Sequence, residues 1–384
     1  MFRSNPMPKL IRPAFTRALP HAPPTWFDLG FCVSAQGELL CLRASEDVPG
    51  YFRERGRLRK MLGSDAAVAR KLPPLPRYLR GLLSAFDGER EGEATEFALN
   101  PDSPHPAFSR FPNGDWLVSD FDPVRKGNFA RVIAPDGAET RRVFLGEGYF
   151  HSMQCDLNGC VWVGYDECRS EAIPPGQLAK FDGKSGDLLW TQAGTGFWIG
   201  DCWGVNPGAD VWVAMHGGGP WPEGGATGAA ANYFTQQRIA FRMIVVHADF
   251  VGPPAGLAQP DHSTATGWPL LRIGADGEVR HWMTTLRHFQ GFAASGDLAL
   301  VIGAYDMRRA WKSNGYRADK LGLALLRLGD VGADAIAEGR LALGETRDRG
   351  ALRVFGAGDA LHVLTDKTWV RLNVAEVAGA LGQL

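Results

Sequence analysis

Several signatures that identify enzymes and metal-binding modules are missing from this sequence. It has no CxxC pair and no cysteine and histidine spacing of a zinc site. It has no GxSxG motif, which would mark a nucleophile elbow, and its glycine-rich stretch GGGPWPEGG lacks the residue order of a phosphate-binding loop. These absences exclude the proteins that depend on such motifs and leave other chemistry open.

Long apolar runs and a strong net charge are also missing. No stretch is long enough to span a membrane, and the basic, proline-rich N-terminus has no apolar core of a secretion signal. The formal net charge of -1 provides no overall field to attract nucleic acid or a membrane surface. We therefore expect a cytoplasmic protein without membrane contact, and nucleic acid is not favoured as a partner.

Cysteines are few, and the six present fit a reducing compartment. Cys32 and Cys41 would lie on neighbouring strands, as would Cys155 and Cys160, so the members of either pair could meet. The other interpretation is that they are small buried residues of sheets.

Glycine and tryptophan, by contrast, are abundant, with 48 and 12 residues in a chain of 384. Many glycines combined with many aromatic residues predict short strands and tight turns rather than long helices.

A short phrase recurs along the chain: a glycine turn, an alternating apolar run and a polar end. The copies are QGELLCLRASED (36–47), NGDWLVSDFD (113–122), NGCVWVGYDE (158–167), GADVWVAMHG (208–217), GDLALVIGAYD (296–306) and GDALHVLTD (358–366). A short apolar segment precedes each glycine, and several copies are followed by a second hairpin with an Asp-Gly or Gly-Asp turn. Each repeat therefore predicts a four-stranded sheet, whose strands are called A to D here. The shorter distances along the chain between the glycines of consecutive copies match a propeller blade of about 40–50 residues.

Six such sheets arranged radially would bury both faces of each sheet. The sequence thus predicts an all-β fold, a six-bladed β-propeller forming a single domain at 26–384, after an extended N-terminal arm at 1–25. The segments 26–33 and 368–374 are candidates for completing a blade shared by the two chain ends.

The phrases CDLNGCVWVGYDE, DVWVAMHGGG and LAKFDGKSGDLLW resemble blades of the SMP-30/gluconolactonase and NHL-repeat type of six-bladed propeller, over roughly 105–305. This resemblance implies the architecture and, for the lactonases, a site for a divalent cation. The lactonase ligands are not carried over, because Asn113 falls in a glycine turn and the family's late Asn and Asp context is not recognisable.

Two insertions, at 49–81 and 217–267, interrupt the repeats. In the first, Tyr51, Leu58 and Leu62 follow helical spacing, and Ser64 is placed to cap a second short helix, so we expect a helical insertion in the first blade. The basic residues of 53–80 predict a surface for an acidic partner or nucleic acid, or only a solvated helix. In the second insertion, 217–234 is interpreted either as a mobile lip, with Trp221 available to cover a ligand, or as a surface loop.

Polar residues end the B strands and begin the A strands, and both ends emerge on one face of a propeller. The candidates for ligand binding are Asp120, Asp122, Asp166, Glu167, Trp221 and Asp306. The candidates for catalysis are His151, Asp201 and His216, since histidine and carboxylate together bind a divalent cation or exchange protons. The alternative is that the acids cap turns.

Two functions are therefore open. One is a propeller that binds a small polar ligand or a protein segment at the mouth of its central channel. The other is a metal-assisted hydrolase or lyase of lactonase-like type, in which one divalent cation polarises a carbonyl group or activates water. Of the five residues His151, Asp166, Glu167, Asp201 and His216, we expect at least three to line one pocket at the channel mouth.

Overall fold

The computed structural model describes residues 9–101, 106–122, 127–146, 150–165, 178–191, 197–199, 202–207, 211–215, 218–220, 269–274, 278–284, 289–303, 322–330, 332–342, 353–365 and 367–383. Almost all regular structure in them is β-strand, as the abundance of glycine and aromatic residues predicts.

The strands of the first half of the chain are short and follow one another closely. They are β1 (Lys9–Ile11), β2 (Phe15–Ala18), β3 (Phe27–Val33), β4 (Leu39–Ala44), β5 (Leu79–Phe86), β6 (Thr95–Leu99), β7 (Phe108–Arg110), β8 (Trp116–Asp122), β9 (Gly127–Ile133), β10 (Glu139–Gly146), β11 (Phe150–Cys155), β12 (Cys160–Tyr165), β13 (Leu178–Asp182) and β14 (Leu188–Thr191).

The second half continues this pattern. Its strands are β15 (Phe197–Ile199), β16 (Cys202–Pro207), β17 (Val211–Met215), β18 (Gly218–Pro220), β19 (Pro269–Ile273), β20 (Val279–Thr284), β21 (Phe289–Ser295), β22 (Leu298–Gly303), β23 (Gly322–Leu328), β24 (Gly332–Leu341), β25 (Arg353–Ala357), β26 (Ala360–Leu364) and β27 (Thr368–Asn373). The six predicted B strands are confirmed as β4, β8, β12, β17, β22 and β26.

The first three repeats form three separate four-stranded antiparallel sheets. Sheet 1 has the order β3-β4-β5-β6, sheet 2 the order β10-β9-β8-β7, and sheet 3 the order β11-β12-β13-β14. Within each sheet the chain order is the spatial order, and hairpins join most neighbouring strands, whereas the insertion at 49–81 connects β4 to β5.

The count of six blades is corrected, because the described part of the chain forms five sheets of four or more strands. The fourth and fifth repeats share one nine-stranded sheet, sheet 4, with the order β16-β17-β19-β20-β24-β23-β22-β21 and β1 beside β24. The physical reason is a parallel pairing between β20 and β24, which joins Met283 to Gly332 and Thr284 to Ala333. Edges that would otherwise end two blades are therefore bonded to each other.

The ring is closed by the N-terminal strand β2, which pairs with β27 in sheet 5, of order β2-β27-β26-β25. Phe15 packs edge-on against Trp369, with ring centroids 4.9 Å apart. The segment 368–374 was predicted to complete a blade shared by the two chain ends, and it contains β27 of this sheet. The same prediction for 26–33 is wrong, because that segment forms β3 of sheet 1.

Apolar clusters fill the spaces between the sheets. Trp116 joins sheets 1 and 2, Phe181 lies between sheets 2 and 3, and Trp162 lies between sheets 3 and 4. Phe292 packs between sheets 4 and 5, and Trp369 packs between sheets 5 and 1. Because every sheet is buried between two neighbours in a closed order, the protein is a β-propeller.

The predicted helical insertion is present between β4 and β5 of sheet 1. It consists of α1 (Val48–Leu62) and α2 (Asp65–Lys71), and Ser64 caps α2 by accepting a hydrogen bond from the backbone of Ala67. A third helix, α3 (Val374–Leu381), follows β27 and packs on sheet 4. No helix in the described residues is both long and apolar enough to cross a membrane.

Candidate functional site

The first strand of each repeat lines the centre of the propeller. These inner strands, β3, β7, β11, β16, β21 and β25, contact one another in a closed sequence. Each runs toward its glycine turn, so the channel has a turn end, at the glycine turns, and a mouth end, where the inner strands begin and the B strands finish. Of the predicted site residues that the structure describes, Asp120 and Asp122 lie in the last part of β8 and His151 lies at the start of β11, so all three belong to strand ends at the mouth end.

At the turn end, one asparagine ties three repeats together. The Asn206 side-chain carbonyl accepts a hydrogen bond from the Gly358 N–H, and its NH2 group donates to the Gly358 carbonyl, both at 2.9 Å. The same NH2 group also donates to the Phe292 carbonyl at 3.4 Å. Asn206 is 1% exposed, so this tie joins β16, β21 and the turn after β25 by buried hydrogen bonds at the turn end.

At the mouth end, four inner strands share an irregularity. The register shifts between Asp28 and Gly30 in β3, between Phe150 and Ser152 in β11, between Cys202 and Gly204 in β16, and between Phe289 and Gly291 in β21. The extra residues are Leu29, His151, Trp203 and Gln290. Bulges redirect side chains and occur often at the rims of barrels and next to active sites. The sequence reveals His151 as a polar residue but not that it occupies a bulge.

Asp120 is buried between sheets 1 and 2. Its carboxylate accepts a hydrogen bond from the Asn100 side chain at 2.6 Å and lies 4.0 Å from the Arg131 and Arg142 guanidinium groups. Its side chain is 7% exposed. Arg131 continues the network to Glu139 at 2.6 Å, so these groups hold two sheets together. A role for Asp120 in ligand binding stays a prediction.

The remaining predicted residues are only partly within the described structure. Asp122 ends β8, and β12 and β17 end immediately before Asp166 and His216. Asp166, Glu167, Asp201, His216, Trp221 and Asp306 lie outside the described residues. In the glycine-rich stretch, 218–220 forms β18 and pairs with β15, and the interpretation of 221–234 as a lip lies outside the described residues. The convergence of three or more residues in one pocket therefore stays a prediction.

Arg353 is a functional candidate that sequence reasoning missed. It begins β25 at the mouth end, opposite Leu364, and its Nη1 donates to the Phe31 carbonyl at 3.4 Å. A Cβ atom on Gly30 would lie 3.2 Å from that nitrogen and 3.6 Å from the Phe108 ring, so the guanidinium group occupies the meeting point of β25, β3 and β7. The available signal was an arginine among apolar residues in LRVFGA.

A fully buried arginine, Arg43, lies between sheets 5 and 1. Arg43 is 1% exposed, its Nε donates to Asp28 at 3.0 Å, and its Nη1 donates to Ser84 at 3.3 Å and to Glu91. Two carboxylates thus compensate its charge, and hydrogen bonding to Glu91 helps to raise the pKa of this guanidinium group against the opposing effect of burial. Asp28 therefore belongs to a structural ion pair with Arg43.

The cysteines, histidines and carboxylates in the described part of the chain form neither a disulfide bond nor a metal site. Cys41 pairs with Phe31 rather than with Cys32, so those two side chains point to opposite faces of sheet 1. The four described cysteines are free, and burial raises the pKa of Cys41 to about 12. Among the described residues, no group of three His, Cys, Asp or Glu side chains is arranged to hold a metal ion.

No protein-family model and no curated protein sequence matches this chain. Among solved structures, the hydrazine synthase of Kuenenia stuttgartiensis is 10% identical, with a TM-score of 0.41, over 93% of this chain and 79% of that one. The Dos1 propeller is 10% identical, with a TM-score of 0.37, over 77% and 67%. A gluconolactonase-family β-propeller is 14% identical, with a TM-score of 0.31, over 67% and 73%. None of these similarities assigns an activity to the chain.

Proposed function

We propose that this propeller binds a small polar ligand or a protein segment at the mouth end of its central channel. The observation that carries this proposal is the difference between the two ends. The turn end is tied by Asn206, whereas the mouth end carries the bulges of β3, β11, β16 and β21. Ligand sites are concave and few per protein, and the end lined by irregular backbone is the better candidate.

The mouth end also offers the groups that a polar ligand needs. His151 and Gln290 occupy two of its bulges, and an imidazole and a carboxamide each provide a hydrogen-bond donor and an acceptor. A bulge interrupts the strict alternation of side chains along a strand and is frequent next to functional sites. These residues are the proposed contacts for a ligand hydroxyl, carbonyl or amide group.

A panel of probes tests this proposal by thermal unfolding. The probes are monosaccharides, polyols, amino acids, dicarboxylates, inorganic phosphate, and the chlorides of calcium, magnesium, manganese and zinc. We expect at least one class to raise the Tm of the wild type in a saturable manner, since a ligand that binds only the folded state stabilises it. His151→Ala should lose that shift.

The matched control is Asn158→Ala, which changes an exposed side chain at the turn end of the same sheet. It should retain the full shift. If no class stabilises the wild type, or if the two variants respond alike, binding at the mouth end is refuted for these ligands.

The alternative, a metal-assisted hydrolase or lyase, depends on His151, Asp201 and His216 acting with one divalent cation. The position of His151 in a mouth-end bulge is the observation that favours it. Metal analysis of the purified protein before and after chelation, together with hydrolysis assays on simple lactones, separates it from binding alone. Metal in the wild type that is lost in His151→Ala, together with turnover, would support the enzyme.

We further propose that the helical insertion receives an acidic partner. Its helices follow the end of β4, so they emerge at the mouth end, and Arg53, Arg55 and Arg59 are 74%, 47% and 67% exposed. Their acidic neighbours, Asp47 and Asp65, lie 3.7–3.9 Å away, and exposed pairs at such distances contribute little. A polyglutamate peptide should bind in a salt-dependent way, and Arg53→Glu with Arg59→Glu should abolish that binding.

A further inference from the structure

Charged side chains are rare on the inner strands of this propeller, and each has a distinct environment. In the part of these strands whose side chains are described, the charged residues are Asp28, Arg110 and Arg353. Asp28 pairs with Arg43 at 3.0 Å, and Arg110 pairs with Glu38 at 3.1 Å. Arg353 differs from both, because no described carboxylate lies within 4 Å of it and its one hydrogen bond to a described residue is to the Phe31 carbonyl.

The local structure makes room for this guanidinium group. Gly30 lies beside Arg353, and an added Cβ atom would approach its Nη1 to 3.2 Å, closer than an ordinary contact. Glycine at this position therefore allows the arginine to lie along the edge of β3, next to the Phe108 ring. Because Arg353 begins β25 at the mouth end, its side chain is within reach of a ligand that enters the channel there.

The described surroundings of Arg353 compensate its positive charge only in part. Burial lowers the pKa of the Arg353 guanidinium below its ordinary value, and among the described residues the opposing charge effect comes from Cys32, whose own pKa is raised by burial. Cys32 is therefore neutral at neutral pH and supplies no negative charge. A partly desolvated cation without a counter-charge is unfavourable, and one backbone carbonyl at 3.4 Å compensates only a fraction of the lost hydration.

We propose that Arg353 is the anchor of an oxyanion-binding subsite in the channel, and that the ligand of this propeller carries a carboxylate or phosphate group. The planar guanidinium group presents paired N–H donors that match both oxyanions. This inference deepens the proposed function and rests on ligand binding at the mouth end. The oxyanion supplies the counter-charge that the described residues do not.

The test is calorimetric titration at constant ionic strength with three probes: inorganic phosphate, succinate and the neutral polyol erythritol. It uses the wild type, Arg353→Met, Arg353→Lys and Arg110→Gln. The last is the matched control, because it also removes an inner-strand arginine, but one that has a carboxylate partner and lies next to a glycine turn.

We expect phosphate or succinate to bind the wild type and Arg110→Gln with similar affinity, and the stronger of the two identifies the oxyanion. Arg353→Met should weaken that binding at least about tenfold, because a buried charge-assisted hydrogen bond is lost. Arg353→Lys, which keeps the charge but not the paired donors, should bind with intermediate affinity. The unliganded Arg353→Met protein should unfold at the same temperature as the wild type or higher, which shows that it folds.

Other outcomes overturn the inference and separate it from the proposed function. Equal anion binding by wild type and Arg353→Met would remove Arg353 from the site, while binding itself stands. Binding of erythritol or of cations without binding of either anion would contradict the ligand class but keep the mouth-end site. A clear fall in the Tm of unliganded Arg353→Met would show that the arginine is structural. Absence of binding by every probe, including the full panel above, would contradict both proposals.

Discussion

The side-chain amide of Asn206 pairs with both backbone groups of Gly358 at 2.9 Å, although the two residues are 152 positions apart in the chain. This pair joins β16 of sheet 4 to the turn between β25 and β26 of sheet 5. In the sequence, Asn206 stands just before the glycine turn of its own repeat. Its side chain nevertheless forms hydrogen bonds with the glycine turn of another repeat. It therefore contributes to holding sheets 4 and 5 together in the closed propeller.

The Asn206→Ala variant should be strongly destabilised. It leaves the half-buried N–H and carbonyl groups of Gly358 and the carbonyl of Phe292 without their side-chain partner. We expect the free energy of unfolding to fall by about 2–4 kcal/mol, measured by urea denaturation. Asn113→Ala, in the exposed turn of sheet 2, is the control and should change stability by less than about 1 kcal/mol. Equal losses of unfolding free energy in the two variants would show that the hydrogen bonds of Asn206 stabilise the protein no more than those of an exposed turn.

Substitution of Gly356 tests the packing around the same tie. An added Cβ atom would lie 2.4 Å from the Phe292 carbonyl oxygen and 2.6 Å from the Asn206 side-chain nitrogen, so the strands would have to separate. Gly356→Ala should lower the free energy of unfolding by at least about 2 kcal/mol. Gly56→Ala, in α1 with no atom within 4 Å, should instead raise it by about 0.5–1 kcal/mol. An unchanged free energy of unfolding in Gly356→Ala would show that the strands at the turn end are packed less tightly than described.

A buried histidine should make the propeller sensitive to acid. His362 is fully buried between sheets 5 and 1, its Nδ1 accepts a hydrogen bond from Trp369 at 2.9 Å, and burial lowers its pKa to about 3. The unfolded chain binds a proton near pH 6.5 and the folded protein does not, so stability is lost as the pH falls from 6.5 toward 3. Between pH 7 and pH 5 this residue alone should cost about 2 kcal/mol.

Urea denaturation of His362→Gln at both pH values measures that contribution. Glutamine retains an acceptor for Trp369 but does not titrate, so the loss between pH 7 and pH 5 should shrink by about 2 kcal/mol. The exposed His21 provides the control, and His21→Gln should keep the wild-type pH dependence. An unchanged profile in His362→Gln would show that other groups cause the acid sensitivity.

The helical insertion should be dispensable for folding. Leu58 and Val68 are buried within α1 and α2, whereas the apolar cluster between sheets 1 and 2 includes Val48 and Phe52 from the start of the insertion. Replacing 53–71 with a short glycine and serine linker should therefore leave a soluble protein with the same β-sheet circular dichroism. Aggregation of this variant, with the wild type soluble under the same conditions, would show that the insertion belongs to the core.

Local sequence features predicted the strands of this protein better than their assembly. The glycine turns and alternating apolar residues located every B strand, because those signals arise from neighbouring residues. The merging of two repeats depends on a two-residue parallel pairing between β20 and β24, which neither strand's pattern encodes. The closing strand β2 was assigned to an extended arm because of the many prolines in 1–25, and its short segment FTRA lies between two of them.

The candidate site was predictable in position but not in composition. His151 stood out as a polar residue at the start of an inner strand, and the structure puts its backbone at the mouth end. Asp120 carried the same kind of signal, yet its side chain lies between sheets with Asn100 and Arg131, because a residue's face depends on register. Arg353 was missed because its lack of a counter-charge among the described residues depends on which side chains are its neighbours in three dimensions.

Hydrogen–deuterium exchange with the best ligand of the probe panel tests binding at the mouth end most directly. We predict slower exchange at the starts of the inner strands, in 27–31, 150–152, 289–291 and 353–355, and no change in the glycine turns at 156–160 and 357–360. Protection confined to the glycine turns, or to strands far from the channel, would contradict the account, because the ligand would then bind at the end that Asn206 ties or outside the channel altogether.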